Sequence, residues 1–145
     1  MISTVARHSG TALYPLHPLH AFVLAGMVPL FIGVLLNDYA YFSSYVLQWK
    51  NFASWLLVGA LLFNGLACLG SLISLVRDDK RMGKPLIYFL LLLATFVLGV
   101  INSFIHAKDV WASMPTGLVL SVITVILACA ATWIGLASWR LGGVR

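Results

Sequence analysis

PLIYFLLLLATFVLGVINSFIHAKDVWASMPTG, Pro85 to Gly117, decides the fold. From Pro85 to His106 it carries no Asp, Glu, Lys or Arg. At about 1.5 Å per helical residue, such a run crosses a hydrocarbon core of about 30 Å. It then breaks into a polar stretch, Asn102-Ser103-Phe104-Ile105-His106-Ala107-Lys108-Asp109-Val110-Trp111. Met114-Pro115-Thr116-Gly117 follows, opening a second apolar run. A histidine, a lysine, an aspartate, an asparagine and a tryptophan thus crowd the narrow zone where a membrane helix meets water.

The rest of the chain repeats the pattern. Hydrophobic residues make up 61% of the 145, charged residues 9%, and Glu is absent. A soluble domain carries about 25% charged residues, so this composition cannot clothe a water-facing surface. The expected fold is all-α, a four-helix transmembrane bundle in a single domain, 1–145. Its spans are expected at about 20–37, 51–76, 85–106 and 114–139. Residues 1 to about 16 read as a short tail without the long apolar region of a signal peptide. Pro29 is expected to kink the first span. Asn37, Asp38, Tyr39 and Tyr41 are expected to close it, and Tyr45, Gln48, Trp49 and Lys50 to form the connection to the second. Arg77 to Pro85 forms a polar turn. In the third span Thr95, Gly99 and Ser103 recur every four residues, a small-residue stripe on which another helix approaches closely. Cys68 and Cys129 both lie within apolar runs and show no metal or redox spacing.

Basic residues set the expected orientation. Arg7, Arg77, Lys80, Arg81, Lys84, Arg140 and Arg145 fall on one side; only Lys50 and Lys108 fall on the other. The positive-inside rule then places both termini in the cytoplasm, and His106 at the periplasmic edge of a bacterial inner membrane. Trp49, Trp55, Trp111, Tyr39, Tyr41 and Tyr45 form an aromatic belt on that edge. The net charge of +5 is this loop bias and does not indicate nucleic-acid binding.

Two motifs carry a resemblance. Leu16-His17-Pro18-Leu19-His20, with a span closed by Asp38, resembles the opening of the bacterial membrane-protein family known as domain of unknown function 2231. Asn102 to Gly117, with His106, Asp109, Trp111 and Pro115-Thr116-Gly117-Leu118-Val119-Leu120-Ser121, resembles the third-to-fourth connection in one branch of it. Ala21 and Trp133-Ile134-Gly135-Leu136 depart from the family pattern. The resemblance implies a four-helix membrane fold and no activity.

Chemistry can be sought at two places. At the first, an imidazole (His106) offers a hydrogen-bond donor to a quinone carbonyl. Asp109 or His106 offers a proton acceptor, Trp111 a stacking plane and Asn102 a further polar contact. The same residues also suit a plain helix-end turn, with Asp109 capping the fourth helix. At the second place, His17 and His20 are candidate ligands for haem b or a transition metal; they also suit interfacial anchoring beside Pro15 and Pro18. His20 and His106 start and end spans on opposite faces, so one haem cannot join them; a sixth ligand would fall to Met27, Met82 or Met114, or the iron would be five-coordinate. Asn64 is the strong hydrogen-bonding side chain in mid-span. With no Asp, Glu, Lys or Arg expected inside a span, a transporter lacks its usual intramembrane charge. Three functions fit: a redox module binding quinone or haem b and serving a periplasmic or respiratory partner; an anchoring subunit of a larger membrane complex; a small channel or transporter. At the membrane edge, His106 is expected to contribute little to the core.

Overall fold

The computed structural model describes residues 17–77 and 83–142. The expectations for the N-terminal tail, for Met82 and for most of the Arg77–Pro85 turn fall outside them. Among the described residues, four helices make up the fold: α1 (Pro18–Ser44), α2 (Leu47–Arg77), α3 (Lys84–His106) and α4 (Thr116–Gly142). A short 3-10 turn, Val110–Ser113, lies between α3 and α4. All four are long and apolar enough to cross a membrane. Each packs on its neighbours around a ring: α1 on α2 and α4, α3 on α2 and α4.

Local chemistry explains the helix ends. Pro18 starts α1, where its missing N–H costs nothing, and the His17 ring accepts a hydrogen bond from the Leu19 N–H at 3.3 Å. Tyr45 ends α1 in the left-handed region (φ 53°) and returns its N–H to the Tyr41 carbonyl. Only Tyr45 and Val46 then separate α1 from α2, so the two helices form a tight antiparallel hairpin. Gly83, at φ 99°, precedes α3 in a conformation that side chains resist.

The core follows a 3-4 alternation on every helix: Leu24, Met27, Phe31, Val34, Asp38 and Tyr41 on α1; Lys50, Ala53, Leu57, Ala60, Asn64, Ala67 and Ser71 on α2; Tyr88, Leu92, Thr95, Gly99, Asn102 and His106 on α3. On α4 the buried positions are Gly117, Ser121, Thr124, Ala128, Ala131 and Gly135. This is the heptad pattern of left-handed bundle packing. Glycines mark the close approaches. A Cβ at Gly99 would lie 2.7 Å from Leu61 Cδ2, and one at Gly26 would lie 2.5 Å from the Phe63 ring.

Three expectations are corrected. The first helix does not close at Asn37–Tyr41; it runs on to Ser44, because Asp38 and Tyr41 lie on the buried stripe and the Asp38 carboxylate is bonded inside the bundle. Gln48, Trp49 and Lys50 accordingly belong to α2 rather than to the connection. The small stripe of α3 turns inward at Asn102 rather than Ser103. A strict four-residue spacing drifts around the helix, whereas the 3-4 alternation stays on one face. Ser103 is half-buried and bonds its own helix at Val100 O.

Candidate functional site

Where α1, α3 and α4 meet near the end of α3, four polar side chains form one buried network. Asp38 is 0% exposed and His106 6% exposed. The carboxylate takes His106 Nε2 on Oδ1 at 2.7 Å and accepts a hydrogen bond from Ser121 Oγ on Oδ2 at 2.5 Å. Asn102 Nδ2 donates to Ser121 Oγ at 2.9 Å. One turn back along α3, the backbone carbonyl of Asn102 lies 2.9 Å from His106 Nδ1. Thr124 donates to the Ser121 carbonyl. Gly117 allows α4 to sit against the ring, since a Cβ there would lie 3.4 Å from His106 Cε1.

The hydrogen-bond pattern fixes the proton count. A carbonyl only accepts, so Nδ1 carries a proton. One further proton then lies between Nε2 and Asp38 Oδ1. With that proton on the ring, the pair is imidazolium and carboxylate; with it on the acid, both partners are neutral. The pair has zero net charge either way. That is why a carboxyl group can be buried among apolar helices, where an unpaired charge would cost several kcal/mol (about 3–5 on losing its partner).

Beside the ring, the N-terminal turns of α2 line a half-open pocket of about 420 Å³, formed by Leu47, Gln48, Lys50, Asn51, Ser54 and His106. Lys50 is 7% exposed, and its ammonium donates to the Lys108 carbonyl at 2.7 Å, tying α2 to the turn after α3. Among the described residues, no carboxylate forms an ion pair with it.

The residues singled out from sequence thus separate. His106 and Asn102 meet in the network. Asp109 precedes the 3-10 turn, is exposed and makes no side-chain cap bond; its backbone carbonyl accepts the Ala112 N–H instead. It does not cap the fourth helix, which begins later, at Thr116. Trp111 is 76% exposed and stacks on Tyr45, with ring centroids 5.0 Å apart and planes at 23°. At the other end of the bundle His17 is exposed and caps α1, while His20 Nε2 lies 2.8 Å from the Tyr88 hydroxyl. Gly70 leaves room for that ring: a Cβ there would lie 2.9 Å from His20 Nδ1. Among the described residues, no group of three or more His, Cys, Asp or Glu side chains converges as a metal site. Met27 is sealed in the core. Cys68 and Cys129 are both free.

Sequence reasoning passed over Asp38, Ser121 and Lys50. The signal for Asp38 was its place in the alternation Phe31, Val34, Asp38, Tyr41, which puts it on the inner stripe. The expectation that no charged residue lies within a span fails for Asp38 and for Lys50. The expectation that His106 is an edge residue of little weight fails as well, because both its ring nitrogens are engaged inside the bundle.

Four apolar spans around a buried carboxyl–imidazole pair define a multi-pass membrane protein. The family model described as "Predicted membrane protein (DUF2231)" matches residues 16–144, and the chain belongs to that family. No curated protein and no solved structure matches it.

Proposed function

We propose that the protein is a quinone-binding module of the bacterial inner membrane, with the cavity beside His106 as its head-group site and the Asp38–His106 pair as its proton acceptor. One observation carries this: the two lie side by side, His106 being a member of the pair and part of the cavity wall. The volume of about 420 Å³ falls in the range of small-molecule pockets, about 300–1,000 Å³. A quinone presents carbonyl oxygens that need donors. Lys50 offers two N–H groups beyond the one given to Lys108, and the amides of Gln48 and Asn51 line the same wall. Oxidation of the quinol releases two electrons and two protons. One proton enters at the Nε2–Oδ1 contact, since Nδ1 is committed to Asn102; with a proton already shared there, uptake leaves an imidazolium beside a neutral Asp38 acid, and the second proton leaves to water at the open side of the pocket. The electrons pass to a periplasmic or respiratory redox protein, with both termini cytoplasmic as the basic residues direct.

Quinone suits these residues better than haem b. Both ring nitrogens of His106 are bonded, and His20 has Tyr88 on Nε2 and the α2 backbone at Gly70 against Nδ1. His106 presents no free nitrogen to an iron, and the unbonded Nδ1 of His20 is turned against Gly70 of α2. An anchoring subunit without chemistry is the second reading, favoured by the way the network closes on itself. Photo-crosslinking with an azido-quinone in nanodiscs separates the two. Labelling within residues 47–54 or at His106, suppressed by excess unlabelled quinone, is the expected result. Labelling spread over the lipid-facing surface and insensitive to competitor would sink the quinone site.

A further inference from the structure

Lys50 brings a charge into the bundle that no ion pair among the described residues neutralises. It lies in the N-terminal turn of α2, is buried, and lines the pocket together with His106. One ammonium N–H goes to the Lys108 carbonyl. A tie of that kind needs a donor; it does not need a full charge.

The carboxylates of the chain are taken or lie elsewhere. The sequence holds four Asp and no Glu. Asp38 gives Oδ1 to His106 and Oδ2 to Ser121, and its pair with His106 has no net charge. Asp109 is exposed and acts on Lys50 through space, without an ion pair. Asp78 and Asp79 follow Arg77 in the chain, whereas Lys50 stands at the opposite end of α2. Two helix ends also meet at the pocket, the N–H end of α2 and the carbonyl end of α3. Each carries about half a charge, of opposite sign, so they nearly cancel and the ammonium's charge remains.

The pocket is graded from its open side inward. Leu47, Gln48 and Asn51 are exposed, Ser54 is half-buried, and Lys50 and His106 are buried. The Ser54 hydroxyl donates to the Lys50 carbonyl at 3.0 Å, so it offers a ligand only an acceptor. The amides of Gln48 and Asn51 would serve an uncharged head group by themselves. A buried ammonium without a counter-charge is costly. A ligand with one negative charge supplies that counter-charge, and hydrogen bonds between ions are roughly twice as strong as those between neutral groups.

We infer that the pocket holds its ring ligand as a singly charged oxygen anion, with Lys50 as the counter-cation. This rests on the quinone reading and names the form in which the quinol is held. Quinol enters neutral. One O–H bond breaks, its proton passes to the Nε2–Oδ1 contact, and the electron pair stays on the ring oxygen beside Lys50. The pair gains one positive charge and the ring one negative charge, so the total charge of the site is unchanged. The step needs no electron acceptor. A quinol anion gives up electrons more readily than neutral quinol, so Lys50 prepares the head group for oxidation.

The test compares two stable ligands of nearly one shape at neutral pH: lawsone, a naphthoquinone whose acidic hydroxyl is ionised, and its methyl ether, which is uncharged. Each is titrated into the protein in nanodiscs of zwitterionic lipid and followed by tryptophan quenching, with empty discs as the blank. The ether partitions more readily into lipid, which works against the expected order. Lawsone should bind the unsubstituted protein at least ten-fold more tightly than its ether. Lys50→Met should abolish that preference and Lys50→Arg should keep most of it, with size-exclusion profiles checking that each variant is folded. Equal affinities, or tighter binding of the ether, in the unsubstituted protein would overturn the inference without any variant and leave the quinone site standing. A preference that survives in Lys50→Met would overturn it as well. Saturation by neither ligand would remove the quinone reading and the inference together.

Discussion

Asp38→Ala removes both acceptor oxygens from the network. The Ser121 hydroxyl and His106 Nε2 then face one another across a small void, each without the partner that Asp38 supplied. A buried polar group left unsatisfied costs about 1–3 kcal/mol. Interhelical hydrogen bonds within membranes tend toward the low end, about 0.6–2 kcal/mol. Two such losses give roughly 2–4 kcal/mol, which at about 3–4 °C per kcal/mol for a chain of this size lowers the midpoint by roughly 6–15 °C. Asp38→Asn behaves differently. Its amide oxygen still accepts from Ser121, and its NH₂ donates to Nε2 of a neutral His106. The same contacts survive without a transferable proton between them, so the cost is below about 1 kcal/mol. Thermal unfolding in detergent, followed by intrinsic tryptophan fluorescence, reads both variants. If Asn costs as much as Ala, the pair is held by charge and not by a shared proton. If Ala matches the unsubstituted protein, the network does not tie the helices together.

Other perturbations separate the remaining contacts. Gly99→Leu drives a side chain into Leu61, whose Cδ2 would already lie 2.7 Å from a Cβ there; overpacking of this kind costs about 1–3 kcal/mol, whereas Trp133→Ala, on a side chain 77% exposed, should leave the detergent melting point unchanged. Lys50→Met removes the tie to the Lys108 carbonyl and the cavity's cation while keeping the aliphatic stem, so it should lower stability by about 1 kcal/mol and weaken quinone binding several-fold, both read on the same purified sample. A reporter fused after Arg145 should be active only in the cytoplasm and one inserted near Lys108 only outside; the reverse pattern would move the proposed site to the other face of the membrane.

The four helices were legible because apolar run length and the lack of charge determine them directly, and α3 was bounded almost to the residue by Pro85 and His106. The helix ends that went astray share a physical cause. Asp38 looks like a helix-closing residue when it is read with its neighbours Asn37 and Tyr39. Its burial depends on a partner 68 residues away, which no local window contains. Lys50 was placed in a connection for the same reason: its stabilising contact is a backbone carbonyl at Lys108, and backbone acceptors leave no trace in a sequence. His106 and Asn102 were legible as polar residues at the end of a span, and they do meet. Asp109 and Trp111 were grouped with them by proximity in the chain. Once the helix ends, however, the 3-10 turn carries Trp111 onto Tyr45 and leaves Asp109 outside the network.

Titration of a short-chain quinone against the purified protein in nanodiscs, read as quenching of intrinsic tryptophan fluorescence, tests the proposed site most directly. Trp49 and Trp111 lie on the chain close to the cavity residues Gln48, Lys50 and His106, so a bound ring should be reported by their emission. The expected result is saturable binding by the unsubstituted protein, weakened at least ten-fold in His106→Gln and several-fold in Lys50→Met. Quenching that rises linearly without saturation, or an affinity that both substitutions leave unchanged, would contradict a quinone site beside the Asp38–His106 pair.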